Sequence, residues 1–559
     1  MSTMAATGDM LSTAVSGLQA FQRNLVTIGH NISNVNTEGY SRQTVDMAAR
    51  EPNVAGNGFI GTGVDITTVR RVYDQFLFDQ VTARNSSFNQ LDTLQTMASG
   101  VDELLSNEDV GLNPVIQKFF NALQDVANDP TSIPARQVLI SEAQTLTDRF
   151  QAFDQRFADM RNSLNLQLQA ATSEVNSLAS SIAAMNKDIA LKSGLAGGQP
   201  PNDLLDKRDQ LLNQLSKLVT VNTSQSSDGS LSVFIGNGQP LVLSGDARAL
   251  STLRNEYDPT QLEVSFDDGA NSFPISNQLS GGKIGGLLAV REQLLDPVQN
   301  AMGRIAIGLA SAVNIQHQLG DDINGNPGGL FFNDILTTSP QVLASSNNNA
   351  ASGTVSVAIN DTNLMQPSDY RLNYDGANFS LTRLSDNSVV DAGFTVADFP
   401  RSVAAEGITL SLAGSVSAGD SFLIRPVHQG ANDLGVAIGS AAEVAAAGAG
   451  NALGDNSNAL ALVALQSQNL LGGSTESFQS AYAKMVSTVG VTTREAKVNA
   501  NAQQTLLDRA TEAQQAVSGV NLDEEAANLV KFQQAYQAAA QVIRISDEVF
   551  QTLLGVTGR

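Results

Sequence analysis

An apolar seven-residue repeat runs through both ends of this chain, which obliges each end to fold as a helix with a narrow stripe that only another helix can cover. Near the N-terminus Leu11, Leu18, Leu25 and Ile32 recur every seven residues, and Ala14, Phe21, Ile28 and Val35 form a second series three positions later. Such spacing makes an a/d seam. At the other end Leu522, Leu529, Tyr536, Ile543 and Phe550 keep the same interval, with Phe532, Ala539 and Leu553 in offset positions. A helix over residues 11 to 35 is about 37 Å long, too long and too narrow in its apolar stripe to bury itself alone. The two ends are therefore expected to pair with each other and, in an assembly, with further copies. The competing reading is a pair of core helices in an ordinary bundle.

The C-terminal helix carries its own start signals. Asn521 stands where an N-cap is expected, Glu524 follows three residues later as in a capping box, and Asp523 and Glu525 add negative charge to the first turn. Gly519 is placed to close the helix before it. After the first heptad comes Gly29-His30-Asn31-Ile32-Ser33-Asn34-Val35-Asn36-Thr37-Glu38-Gly39-Tyr40-Ser41-Arg42-Gln43. Its Asn and Ser residues compete for backbone bonds at a helix end, and Gly39 supplies a permissive turn position.

That stretch resembles the N-terminal signature of the bacterial flagellar axial proteins, the rod, hook and hook-associated family. The form GHNxxNxxTxGYSRQ is nearer to the hook-associated members at the hook–filament junction than to rod or hook subunits. Three further blocks carry the same resemblance: Ile60-Gly61-Thr62-Gly63-Val64 leading to Arg70-Arg71-Val72-Tyr73-Asp74, then Asn202-Asp203-Leu204-Leu205-Asp206-Lys207-Arg208-Asp209-Gln210-Leu211, then Gly281 to Asn314. The run Ser518 to Ala526 is similar to the C-terminal signature of the family. From about Pro340 to Pro426 the resemblance is weakest, and only a generic β-rich insertion is legible.

A chain of 559 residues exceeds one ordinary core and suggests three to four units. It has no cysteine, which excludes disulfides and Cys-based metal sites or nucleophiles. With 32 basic and 55 acidic residues, a net charge of −23 argues against a nucleic-acid groove. Met1 to Met10 lacks a basic n-region and an apolar h-region, and no run has the length of a membrane span, so neither Sec export nor membrane insertion is expected. The resemblance implies instead export through the flagellar type III apparatus with an uncleaved N-terminal signal.

The fold class expected is mainly α with β insertions. Helical spacing covers 75 to 106, 112 to 127, 134 to 193, 203 to 219 and 283 to 319. From Val219 to Phe273 the period shortens toward two, with turns at Asp228-Gly229, Gly236-Asn237-Gly238 and Asp268-Gly269, which predicts hairpins. Runs at 355–359, 370–374 and 408–412 predict a separate β domain. Residues 430 to 559 read as Ala-rich helix again, although 431 to 454 are so rich in Ala and Gly that a fixed conformation is doubtful there. The boundaries proposed are residues 1–40 with 521–559 as a terminal coiled-coil, 41–339 with 430–520 as a helical bundle including hairpins at about 220–275, and 340–429 as an outward-facing β insertion.

No catalytic, cofactor or metal site is assigned. Gly56-Asn57-Gly58-Phe59-Ile60-Gly61 matches a dinucleotide fingerprint, but the residues after it, Val64 to Val69, read as a strand where that motif needs a helix. Asp322-Ile323-Asn324-Gly325-Asn326 begins like a calcium loop, yet Pro327 and Asn333 occupy the positions that need glycine and glutamate, so a polar turn is expected. His30, His317 and His428 have no metal-type partner in the sequence and are assigned packing and hydrogen-bonding roles. Asp206 and Asp209 are read as an ion-paired, solvated helix face beside Lys207, and no Gly-x-Ser-x-Gly elbow appears.

The expected function is a structural one, joining hook to filament in the extracellular flagellum by self-assembly. The assembly interface is assigned to Leu11, Leu18, Leu25, Ile32, Asn31, Asn34, Gly39, Tyr40, Leu522, Leu529, Tyr536, Ile543 and Phe550. The resemblance implies as partners further copies in a ring or tube, the hook subunit, the next hook-associated protein, and a cytoplasmic export chaperone on the C-terminal helix. Ordering a residue costs roughly 1–2 kcal/mol, so lone termini are expected to stay loose in a dilute monomer. Two alternatives stand: another axial subunit of hook, rod or filament type, and an axial protein with wall-hydrolase activity.

Overall fold

The chain is described by a computed structural model covering residues 2–55, 58–107, 111–226, 228–269, 271–452 and 454–557. Its helices are α1 Ser2–Ser33, α2 Gln75–Ser106, α3 Leu112–Asn128, α4 Ile133–Leu195, α5 Asn202–Ser216, α6 Gly282–Val290, α7 Asp296–His317, two short turns α8 Ile335–Thr338 and α9 Gly430–Asp433, then α10 Ser457–Ala464, α11 Phe478–Ser518 and α12 Leu522–Thr557. The first and last pair antiparallel, with the Phe21 and Phe532 rings 6.2 Å apart.

Between them α4 is the spine. Its 63 residues span about 95 Å at the ordinary helical rise. Ser132 caps it by accepting from the Ala135 amide, and Pro134 occupies the first turn, where no amide partner is lost. Phe119, Phe150, Phe157, Leu164, Leu168, Val175 and Ile182 are buried, joined in one core by Leu287, Met302, Ile305 and Leu309 from α6 and α7. A π-helical turn at Arg291–Leu295 links those two helices. Pro297 has no N–H for the carbonyl four residues back, so the ladder loosens there without breaking the rod. α11 lies along α2, and the Tyr482 hydroxyl donates to the Leu105 carbonyl at 2.7 Å.

The hairpins between α5 and α6 form a four-stranded sheet, Val221–Gln225, Leu231–Ile235, Gln239–Leu243 and Asp246–Ala247, and a three-stranded sheet, Leu250–Arg254, Leu262–Asp267 and Ser272–Pro274. Side chains of α4 cap their open backbone. Asn186 donates to the Leu231 carbonyl at 2.8 Å, and Asn176 bonds both backbone groups of Leu250.

Two sheets make the β insertion. Five strands run in the order Gln341–Ala344, Ser421–Arg425, Tyr370–Tyr374, Phe379–Arg383, Ser388–Phe394, and three in the order Thr354–Ile359, Ile408–Ala413, Arg401–Val403. Tyr370, Leu372, Phe379, Leu381, Phe394, Ile408, Leu410 and Phe422 form its own core, whereas Ile359 and Met365 are buried with the bundle. At its root the buried Arg425 lies between Asp258, at 2.8 Å on the hairpin side, and Asp369, at 3.0 Å on the insertion side. Tyr257 and Ser421 meet beside them through their hydroxyls at 2.8 Å.

One stretch corrects the sequence reading. Helix does not continue from residue 430: beyond the single turn α9, no α-helix forms among the described residues before Ser457, and the Ala-rich part of this stretch is packed rather than loose. Val444, Ala445, Ala446 and Ala447 are buried, Phe331 and Gly435 carbonyls accept from Ala437 and Asn333 amides, and a short strand Ala447–Gly448 pairs with Gly320–Asp321. The Ala residues serve close approach of backbone to bundle rather than helix propensity. Arg136, itself buried, donates to the Pro130, Ala441 and Val444 carbonyls and clamps the segment to the start of α4. His317 completes the clamp, its Nε2 accepting from the Ala445 amide and its Nδ1 donating to the Gly329 carbonyl, both at 2.8 Å. Burial holds its pKa below the ordinary histidine value, consistent with that neutral form.

Candidate assembly interface

Four of the five blocks singled out in the sequence meet along α1, most of them near its end, whereas Gly281 to Asn314 lies in the bundle core. β1 Gln43–Ala49 and β4 Val64–Arg71 form an antiparallel ribbon that runs back along α1, continued at its far end by the small hairpin β2 Asn53–Ala55 and β3 Gly58–Ile60. Asn31 welds ribbon to helix. Its amide nitrogen donates to the Gln43 carbonyl at 2.9 Å, and its oxygen accepts from the Gln43 amide at 2.9 Å and from the Tyr40 hydroxyl at 2.7 Å. Only an Asn of this reach satisfies both backbone groups of an edge residue and a hydroxyl together.

Tyr40 packs edge-on against His30 and lies within 3.1 Å of its Nδ1, and burial beside Asp203 and Asp206 raises its pKa. Asn34 ends the helix by donating to the His30 carbonyl at 3.0 Å, and Gly39, at φ +78°, turns the chain in a left-handed conformation that favours glycine. Gly63 explains the Ile60 to Val64 block. At φ +111°, a Cβ there would stand 2.1 Å from the Ser16 hydroxyl and 3.2 Å from the Thr13 Cα, so the ribbon lies flat on α1 only because this residue has none.

The Asn202 to Leu211 block faces the same junction. Ser41 donates its amide to Asp206 at 2.9 Å, Gln43 its side-chain amide to Asp203 at 2.8 Å, and Asn202 donates to the Val69 carbonyl at 2.8 Å. Arg71 reaches Asp206 at 2.8 Å and Asp209 at 2.6 Å, the second contact ionic rather than aligned as a hydrogen bond, and lies 4.1 Å from the Tyr73 ring centre. The solvated face predicted for Asp206 and Asp209 is therefore wrong: both are buried, and their partner is Arg71, 135 residues before Asp206, rather than Lys207. Burial lowers the pKa of Arg71 less than the two carboxylates raise it, whereas burial outweighs Arg71 and Arg208 at Asp209 and raises that one. The arrangement is a fastening.

Among the two heptad series, the offset one faces inward. Ala14 and Ile28 are buried and Phe21 meets Phe532, while Leu11 is exposed and Leu18, Leu25 and Ile32 are half-buried flanks. On α12 the seam is lined by Glu525, Phe532, Tyr536, Ala539, Ile543 and Ser546, and Leu522, Leu529 and Phe550 are exposed, Leu522 by 52 %. Val26, Val530, Val542, Ile545 and Val549 join them on the outside. The side chain of Leu553 lies outside the described residues. At the start of α12, Asn521 accepts from the Asp523 amide at 2.9 Å as a cap, but Glu524 pairs with Arg42 instead of folding back into a capping box. Arg42 also donates its amide to the Ser518 carbonyl at 2.8 Å, so the axial signature and the α11–α12 corner are tied together.

The remaining sequence motifs serve the fold. Gly56 and Asn57 lie outside the described residues, and the positions after them are the strands β3 and β4. Asp322 closes a turn by accepting from the Asn324 and Asn326 amides at 2.7 and 2.8 Å, contacts that depress its pKa. Among the described residues no group of three or more His, Asp or Glu is placed to hold a metal ion, and no helix is long and apolar enough to cross a membrane.

Four family models match this chain: the flagellar hook-associated protein FlgK helical domain at residues 98–332, the flagellar hook-associated protein 1 D2-like domain at 343–426, the flagella basal body rod protein at 11–40 and the flagellar basal body rod FlgEFG protein C-terminal region at 513–556. Flagellar hook-associated protein 1 of Salmonella typhimurium is 34 % identical over 98 % of this chain and 99 % of its own length, that of Escherichia coli K12 is 34 % identical over the same shares, and that of Bacillus subtilis is 27 % identical over the same shares. The solved flagellar hook junction protein FlgK from Burkholderia pseudomallei superposes with a TM-score of 0.74 at 28 % identity, covering 79 % of this chain and all of that one. Full-length identity above 30 %, with matching models at both termini and in the middle, leaves one assignment: the chain belongs to the flagellar hook-associated protein 1 family.

Proposed function

We propose that this chain is the structural adaptor between the hook and the filament of the bacterial flagellum, and that it works by assembly rather than catalysis. The observation that carries the reading is the outer face of the α1–α12 pair. A helix pair closed on its own seam still presents Leu11, Leu522, Leu529, Val530, Val542, Ile545, Val549 and Phe550 to solvent along its length, more large apolar side chains than one helix pair needs to leave bare unless other chains cover them. Each large side chain, once fully buried between copies, contributes about 1.5–3 kcal/mol. Residues 1–40 with 521–559 then form the inner layer of a tube, 41–339 with 430–520 its wall, and 340–429 an outward insertion.

On this reading the chain works outside the cell, exported without a cleaved signal. Its neighbours are the hook subunit, further copies of itself and the next hook-associated protein, and a chaperone covers the exposed stripe of α12 before export in the manner of a helix laid in a groove. Asn31, Asn34, Gly39 and Tyr40 support the interface from behind by fixing α1 to the ribbon, while the leucine series meets neighbours directly. Electron microscopy of a strain lacking the gene tests the proposal: hooks without filaments, with filament protein shed to the medium, are expected, and intact filaments would refute it.

A further inference from the structure

Residues 434–448 cross the bundle as a strap rather than as one of its long helices, so individual bonds decide whether they stay closed. Leu434, Ile438, Val444 and Ala446 are buried in the bundle core. At one end Gly435 and Ala437 bond the backbone of Asn333 and Phe331, and at the other Ala447–Gly448 pairs with Gly320–Asp321. In the middle the carbonyls of Ala441 and Val444 accept from Arg136, and the amide of Ala445 donates to His317.

The two bases that grip the middle are both out of water, His317 at 0 % and Arg136 at 1 % exposure. His317 can make its contacts in one state alone. Its Nε2 must accept from the Ala445 amide while its Nδ1 donates to the Gly329 carbonyl, which requires the neutral ring with its hydrogen on Nδ1. A second proton, on Nε2, sets donor against donor and breaks the bond to the strap. Charge works in the same direction. Arg136 gives its hydrogens to three carbonyls and forms no ion pair among the described residues, so the site already holds one cation. The strap itself offers only the exposed Glu443, already bonded to the Gly439 amide, and the loop after α7 offers Asp322, engaged in its own turn and acting on Arg136. α10 has no ionisable residue, and α7 has none other than His317 after Arg304.

We infer that His317 is an acid-released latch: on taking up a proton it lets go of Ala445, and the strap opens from the wall of the bundle while the long helices beneath it stay folded. The closed strap binds that proton more weakly than the open one, because burial, with Arg136 adding to it, outweighs the Gly329 carbonyl and Glu443 and holds the ring below the ordinary 6.5. The latch is therefore at full strength above pH 6.5 and weakens as the pH falls below it.

Hydrogen exchange of the full chain at pH 7.5 and 5.5 tests this, read as protection factors so that the pH dependence of intrinsic exchange cancels. Residues 437–447 should lose up to about tenfold in protection at the lower pH, the linkage of one proton, with no matching loss in α4 or α7. His317→Gln offers one acceptor and one donor but takes up no proton, so its strap should be equally protected at both pH values; circular dichroism checks that it folds. In the parent chain, nitrogen-15 spectra of the three histidines should show His317 as the Nδ1–H tautomer at pH 7.5. Unchanged protection of the strap at pH 5.5, an equal loss in His317→Gln, a loss spread through the whole bundle, or a cationic His317 under a strap that stays protected would each overturn the latch.

Discussion

Removing one carboxylate from the Arg425 fastening should stabilise the molecule. Asp369 is buried, and that burial, reinforced by Asp296 and only partly offset by Arg425 and Asn300, pushes its pKa from 3.8 up to about 6. Arg425 is meanwhile served by Asp258, whose carboxyl is held below the ordinary range by Thr260 and Arg425 despite burial. His428 beside them is kept neutral by burial next to Arg425 and Arg161. A carboxyl whose folded pKa is raised binds its proton more tightly in the folded state. It imposes no penalty below about pH 3.8, a growing one between 3.8 and 6, and its full penalty above 6. That displacement is worth about 3 kcal/mol. Asp369→Asn keeps the shape of the protonated acid and should gain up to about 3 kcal/mol at pH 7.5 and about half that at pH 5. Arg425→Met, by contrast, leaves two buried carboxylates facing each other and should lose roughly 3–5 kcal/mol. Urea unfolding followed by far-ultraviolet circular dichroism at both pH values measures this. An Asp369→Asn variant less stable than the parent, by an amount that does not shrink at pH 5, would refute the reasoning and make Asp369 a true ionic anchor.

Other perturbations address the junction at α1. Asn31→Ala removes three hydrogen bonds and leaves both backbone groups of Gln43 bare, a loss of roughly 1.5–4 kcal/mol, and should raise hydrogen exchange across residues 40–47; Asn31→Asp, which keeps the accepting bonds, should lie between. Gly63→Val meets the Ser16 hydroxyl and should lift the ribbon, exposing residues 43–71 to protease while the thermal transition of the bundle stays unchanged. Arg136→Met leaves the carbonyls of Pro130, Ala441 and Val444 unpaired, about 1–3 kcal/mol for each buried group, and should open residues 437–447 to cleavage. In the dilute monomer, residues 2–33 and 522–557 should exchange rapidly and gain protection on polymerisation; strong protection before assembly would contradict the proposed coupling.

Local punctuation made much of the fold readable. Gln75–Ser106 and Tyr370–Tyr374 lie where periodicity placed them, because Asp74 caps the helix and Asp375-Gly376 turns the strand. What could not be read depends on residues far apart. Either heptad series could face inward, and only Phe532 meeting Phe21 decides which does. Asp206 and Asp209 look solvated until Arg71 arrives from the ribbon. Ala441 to Ala447 look featureless because the group that fixes them, Arg136, sits some 300 residues earlier in the chain. The aspartates around Arg425 gave no local signal at all, since a buried charge and a surface charge are spelled alike.

The β insertion enters and leaves the bundle on paired strands, Gln341 lying opposite Arg425. Adjacent ends are the usual mark of an exchangeable module, one that a foreign domain could replace without retuning its host. Here exchange would leave a wound: Ile359 and Met365 of the insertion are buried in the bundle's own core, and Arg425 departs with the module while Asp258 remains behind. A chimera that swaps the module therefore has to import two apolar plugs and a cation, or neutralise Asp258, before its host will hold its shape.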